Sequence, residues 1–182
     1  MIYFTSDTHF FYRKGKPRVG NIQFPNTEDK NSYLTERWNE RVREEDSVYI
    51  LGDFSNGSAE ETNEILRALK GKKYLIIGNN DAYLEEPDFK KEYFVWAKHY
   101  HEMHELGTKW VLFHFPLESW SGYGKDRVHL HGHLHRTQPV YEEIRRYEVG
   151  VDAHKGYPVS MEEIWESVKD FHNLSRRMPG VS

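Results

Sequence analysis

The chain contains no cysteine. Disulfides, thiolate nucleophiles and zinc–thiolate sites are therefore all excluded. No apolar run approaches the roughly 20 residues needed to cross a bilayer. The opening MIYFTSDTH is too short and too polar for a secretory leader, so a cytoplasmic protein with no membrane partner is expected. There is no block of lysine and arginine, and the formal net charge is −4. That speaks against bulk nucleic-acid binding and leaves room for a small phosphate-bearing substrate. Repeats and low-complexity tracts are also missing. At 182 residues the length fits one domain, expected over 1–172, with a tail at 173–182 that ends in SRRMPGVS. Histidine, by contrast, is plentiful: there are eleven, most of them between His99 and His135. Without thiols, imidazole is the main soft ligand or acid–base group on offer.

Three helices are predicted. Leu34, Trp38 and Val42 recur every fourth residue over 32–43. Residues 59–70 open with the capping box Ser58…Glu61 and stop at Gly71, and 161–171 open with Ser160…Glu163. Short apolar runs at 2–6, 47–51, 73–77, 109–113, 127–130 and 147–151 read as strands. Strand and helix alternate in the first half, which predicts parallel pairing. The second half is mostly strands, and antiparallel pairing is expected there, with a hairpin turning near Gly107. Residues 10–29 form the longest loop, rich in Gly, Pro, Lys and Arg; such loops are usually functional or mobile.

The residues just after the strands carry the chemistry. The first run ends in Asp7 and His9, the second in Gly52 and Asp53, and the third in Gly78, Asn79, Asn80 and Asp81. The fourth ends in His114, and the fifth in His131, His133 and His135. Sites in open α/β sheets form at the carboxyl ends of strands. One such ending would be ordinary turn chemistry; five with metal-compatible groups are not. Carboxylate, imidazole and amide oxygen without sulfur suit Mn²⁺, Fe, Zn²⁺ or Ni²⁺. The ligands are too many for one tetrahedral ion, and two ions sharing a carboxylate fit the count. Such pairs sit about 3.5–4 Å apart and serve displacement at phosphorus. The nearby HEMHE (101–105) lacks the spacing of a zinc protease motif. No glycine-rich phosphate loop is present.

Asp7-Thr8-His9, Gly52-Asp53, Gly78-Asn79, His114 and Gly132-His133-Leu134-His135, in that order, resemble the five motifs of the calcineurin-like metallophosphoesterases. SDTHF, LGDFS, HFPLESW and GVDAHKGYPVSMEEI resemble their small, single-domain phage- and bacterial-type branch. The resemblance covers roughly residues 1–168. It implies an α/β fold: a four-layer α/β/β/α sandwich of two mixed β-sheets flanked by helices. It implies two divalent ions, Mn²⁺ foremost. One would be held by Asp7, His9 and His135 and the other by Asn79, His114 and His133, with Asp53 bridging.

The implied activity is phosphoesterase, with a bridging hydroxide as nucleophile and a phosphate-ester or nucleotide-like substrate. Two divalent ions against two carboxylates and one hydroxide leave the centre about one unit positive. That matches a phosphodiester monoanion, so diesters are favoured, and Asn79 supplies an oxygen without a charge. Most relatives carry a histidine where this chain has Asn80. An amide can donate a hydrogen bond to phosphate but cannot supply a proton, and general acid catalysis contributes about 10²–10⁴-fold. Hence either a substitute acid exists, with His131 the best placed, or the leaving group needs little help. His131 could instead be a hydrogen-bond partner behind the ligands. Asp152 is expected either to orient a ligand histidine or to form a turn. A metal- and phosphate-binding protein that has lost turnover along with that histidine is the alternative.

Overall fold

A computed structural model describes residues 1–140 and 142–173. Of the expected tail, all but Asn173 lies outside the described residues. Asn173 is buried, and its side-chain amide donates to the carbonyls of Tyr123 and Arg127, both at 3.0 Å.

In chain order the elements are β1 (Ile2–Thr5), β2 (Arg18–Val19), β3 (Ile22–Gln23), α1 (Thr27–Arg41), β4 (Ser47–Ile50), α2 (Ala59–Ala68), β5 (Lys72–Ile76), β6 (Phe94–Lys98), β7 (Tyr100–Glu105), β8 (Thr108–Phe113), β9 (Val128–His131), β10 (Arg146–Glu148), β11 (Val159–Ser160) and α3 (Met161–Val168). A five-stranded sheet has the order β11-β1-β4-β5-β6, and a four-stranded sheet the order β10-β9-β8-β7. The first is parallel except for β11. In the second, β7 and β8 form the expected hairpin, but β8, β9 and β10 run parallel. The expectation of antiparallel pairing throughout that half is thus corrected. The 14 residues between β8 and β9 are long enough for the crossover that a parallel pair requires.

Side chains alternate across each strand, and the alternation assigns the layers. Tyr3, Val48, Ile50 and Leu75 face Leu34 and Trp38 of α1 and Leu66 of α2. Phe4, Leu51 and Ile76 face the other way, against Trp110, Leu112, Leu130 and Tyr147 of the second sheet. Ile164 and Val168 of α3 join that inter-sheet core. On the far face of the second sheet, Val111 packs with Trp120 and Ile144. This outer layer is thin, and a single 3₁₀ turn at Tyr123–Lys125 is the helical part of the segment that joins β8 to β9. No described helix is long and apolar enough to cross a membrane.

Both expected capping boxes are present, at Ser58–Glu61 and Ser160–Glu163. Helix α1 starts five residues earlier than its apolar spacing predicts. Asn26 caps it by accepting from the amide of Asp29, and its first turn is polar, with no apolar period to read. Loop 10–29 therefore holds a short hairpin and a helix start. We expect Ser58→Ala to cost about 1 kcal/mol of stability, measured by urea unfolding; no loss would mean the cap is replaced by other contacts.

Candidate metal centre

The parallel strands β1, β4 and β5 and the parallel pair β8 and β9 deliver their carboxyl ends to one rim. Backbone bonds continue past the strands: the amide of Asp7 donates to Gly52 O, His9 to Asp53 O and Gly132 to His114 O, at 2.9–3.0 Å. A bridge between Ser6 and Gly150 joins the two sheets at the same rim. Beyond this ladder the chain must turn sharply. Asp7, His9, Asp53, His133 and His135 all have positive φ, between 42° and 75°. For L residues this conformation is uncommon and costs free energy, so it persists only where the surroundings over-determine it. Its concentration on five of the seven expected ligands marks the rim as a built site.

Two groups of donors form. Asp7, His9 and His135 bring ligand atoms within 4.8 Å of one another, and so do Asp53, His114 and His133. Asn79 adjoins the second group, with its Oδ1 3.1 Å from His114 Nε2. Asp53 lies between the groups. Its Oδ2 is 3.5 Å from His9 Nε2 and its Oδ1 is 3.5 Å from His114 Nε2. All seven expected ligands therefore converge.

Three of the imidazoles are oriented from behind. His9 Nδ1 lies 2.9 Å from Asn56 Oδ1, His114 Nδ1 lies 2.7 Å from Leu51 O, and His135 Nδ1 lies 2.6 Å from Asp152 Oδ2. Each acceptor fixes the proton on Nδ1 and leaves the Nε2 lone pair for a cation, the usual arrangement behind metal-ligating histidines. Asp152 thus orients His135, a candidate ligand. The contact of Asn56 is not foreseen from sequence; its place before Gly57 reads simply as a turn.

The glycines are as constrained as the ligands. Gly52 has φ +90°, and a Cβ there would lie 2.5 Å from His114 Nδ1. A Cβ on Gly132 would lie 2.4 Å from Asp7 Oδ2. The backbone comes this close because the carboxylate is held by backbone and hydroxyl: the amide of His133 donates to Asp7 Oδ2 at 2.9 Å and Ser6 Oγ at 2.5 Å. Burial pushes the Asp7 carboxyl up, and the hydrogen bond from Ser6 opposes it. Burial pulls His9 down, while the bond to Asp152 holds His135 up. Asp81 is likewise raised by burial, although its carboxylate accepts amides of Gly78, Asp53 and Phe54 at 2.7–3.0 Å. Asp7, Asp53, Asp81 and Asp152 are all buried around one rim. Such a set of acids is costly without cations, and hard oxygen and imidazole donors suit divalent ions.

Asn80 sits at the edge of the second group. Its amide N–H donates to Asp53 Oδ1 at 2.9 Å, and its side-chain Nδ2 donates to Asp53 Oδ2 at 2.7 Å. His131 is placed differently from the expected substitute acid. Strand β9 ends at His131, and the positive φ of His133 breaks the period that would align the two rings. The ring is wholly enclosed, with Nδ1 2.8 Å from Gly132 O. Burial pulls it down to about 3. Its geometry fits the second expected role, steadying the turn that carries His133.

A cavity of about 510 Å³ opens beside Asp7, His9 and His135, within the usual range for small-molecule sites. Asn80, Asn56 and Asp152 contribute to its walls, as do Tyr12, Lys14, Lys16, Arg18 and Lys30. Lys30, from the first turns of α1, is buried and donates to His9 O at 2.7 Å. Its place in the cavity escapes sequence reading, because a lysine near a helix start looks solvated.

A two-sheet sandwich whose strand ends gather two clusters of carboxylate and imidazole around a shared aspartate defines a metallophosphoesterase-like protein. Comparison with known proteins agrees. The family model "Calcineurin-like phosphoesterase" matches residues 1–177, and the chain belongs to that family. It is 31% identical over 170 residues to an uncharacterised protein of Methanocaldococcus jannaschii, covering 90% of this chain and 88% of that one. It is 29% identical over 196 residues to the gene 66 protein of Mycobacterium phage D29, covering 93% and 96%. A protein of unknown function from Aquifex aeolicus superposes with a TM-score of 0.69 at 25% identity, over 92% of this chain and 99% of that one. Family membership supports a hydrolase acting on phosphate esters.

If the two clusters hold cations, metal binds the folded chain preferentially and stabilises it. At about 100-fold over the dissociation constant the gain is about 2.7 kcal/mol per site. We expect manganese added to chelated protein to raise Tm, and Asp53→Asn to abolish most of that rise. An unchanged Tm in the parent protein would count against the cage.

Proposed function

We propose that this protein is a two-metal phosphoesterase that favours phosphodiesters. The observation that carries the reading is the position of Asp53, whose two oxygens each lie 3.5 Å from a histidine of a different cluster. One carboxylate so placed can bridge two cations. Asp7, His9 and His135 would hold one, and Asn79, His114 and His133 the other. Bound divalent ions supply Lewis acidity and a water that ionises near neutral pH; the family resemblance favours Mn²⁺, and the donor set is equally compatible with Fe, Zn²⁺ or Ni²⁺.

The chain's own groups do the rest. Asn56, Leu51 O and Asp152 keep three imidazoles in the tautomer that presents Nε2. Asn80 fixes the plane of Asp53. An amide nitrogen has two N–H groups, and Asp53 takes one of those on Asn80, so the other remains for a phosphate oxygen. The carboxamides of Asn56 and Asn80 do not replace the proton that a histidine at position 80 would give. A diester with a good leaving group tolerates that loss best.

The test pairs bis-p-nitrophenyl phosphate with p-nitrophenyl phosphate after chelation and metal add-back. We expect the higher kcat/KM on the diester; preference for the monoester would overturn the substrate assignment. Bound metal with no hydrolysis of either ester would instead favour the alternative of a binding protein that has lost turnover. Asn80→His should raise turnover of phenyl phosphate, whose leaving group needs a proton, by about tenfold or more. It should raise that of p-nitrophenyl phosphate much less. An equal effect on both would mean that proton supply is not what position 80 limits.

A further inference from the structure

The cavity beside Asp7, His9 and His135 has one wall that the metal chemistry does not use. Lys14, Lys16, Arg18 and Lys30 all line it, in a chain whose net charge is −4. The first three sit at alternate positions. Residues 16–19 alternate exposed, buried, exposed, buried, with Pro17 and Val19 turned inward, so Lys16 and Arg18 share the outward side of an extended segment. The segment is anchored at both ends. Thr27 Oγ1 donates to Tyr12 O at 2.7 Å, Phe24 N donates to Pro17 O at 2.9 Å, and Gly20 N donates to Asp152. Arg13, by contrast, pairs with Glu61 and is absent from the cavity wall.

No carboxylate among the described residues forms an ion pair with Lys14, Lys16 or Arg18, although the structure offers such pairs to Arg13, Arg37, Arg41 and Lys109. The two acids in the same wall accept hydrogen bonds from elsewhere, Asp7 from Ser6 and the amide of His133, Asp152 from His135 and Gly20, and the charge of Asp152 also acts on Arg18 and Lys30. Lys30 is 4% exposed. An ammonium has three N–H donors, and the one hydrogen bond from Lys30 goes to His9 O. A buried cation with spare donors beside three cations in one cavity wall, faced by the single carboxylate of Asp152, favours an anion there. A scissile phosphate seated at the two clusters leaves the rest of this wall for a further anion in the same cavity.

We propose that the substrate carries a second phosphate group, bound by the Lys14–Lys16–Arg18 arch and Lys30 while the scissile ester occupies the clusters. This rests on the phosphoesterase reading of the centre. It narrows the substrate class from phosphate esters in general to phosphodiesters that bear a further phosphate group, of which a nucleotide 5′-diester with a 3′-phosphate is the simplest form.

Binding tests it independently of turnover. Calorimetry on manganese-loaded full-length protein would compare thymidine 3′,5′-bisphosphate with thymidine 5′-monophosphate. We expect the bisphosphate to bind about tenfold tighter or more, with a preference that shrinks as salt is raised. In the Lys14→Ala/Lys16→Ala variant, whose changed side chains are exposed, the two affinities should converge. Equal affinities in the parent protein, or a preference that survives in the variant, would overturn the proposal. A companion assay uses thymidine 5′-(p-nitrophenyl phosphate) with and without a 3′-phosphate. Hydrolysis of both at equal kcat/KM would sink the arch and leave the phosphoesterase standing. A binding preference without hydrolysis of either would support the arch and overturn the assigned activity.

Discussion

The carboxylate of Asp81 is the tie on which the rim depends. It accepts amides from Gly78, at the end of β5, and from Asp53 and Phe54, at the end of β4. The ends of the paired strands β4 and β5 are thereby held together beyond their last register pair, with Asp53 in its left-handed turn between them. Once Asp53 is fixed, Asn80 clamps its plane, and its two oxygens point to separate clusters. The same constraint dictates the glycines. With Gly78 and Gly52 pressed against Asp53 and His114, no side chain fits. Burial makes this expensive, because the acids of the rim lie together in a poorly solvated place. Divalent cations shared between the clusters would relieve that cost.

The sequence made the chemistry of the rim more legible than its architecture. Short apolar runs followed by Asp, His or Asn locate all seven candidate ligands, because a strand's end and the ligand after it are local in the chain. The capping boxes are legible for the same reason. Features that depend on partners far away are less so. Strand β6 pairs with β5 through a register shift, and nothing in FVWAK announces it. Strand β11 has two residues, too few to show a period. The parallel pairing of β8 with β9 depends on where a 14-residue crossover lands. The orientation of His131 turned on one backbone angle at His133, which residue types alone do not encode.

The supporting residues divide in the same way. Asp152 could be weighed from its place in GVDAHKGYP as a partner for a histidine. Asn56 and Lys30 could not, because their contacts join segments 47 and 21 residues apart. Lys30 shows the difficulty most plainly. Its position near the start of α1 suggests a solvated face, yet the loop before the helix folds over it and leaves its ammonium in the wall of a cavity.

The bridge between Ser6 and Gly150 has a mechanical meaning. It stitches the two sheets of the sandwich together by backbone, with Val151 N donating to Ser6 O at 3.1 Å, at the one edge where sub-ångström placement matters. Slippage of one sheet over the other is thus resisted at that edge. Like a rivet at the hinge of a pair of tongs, the bridge keeps the parts that must grip in fixed register, wherever else the sandwich yields.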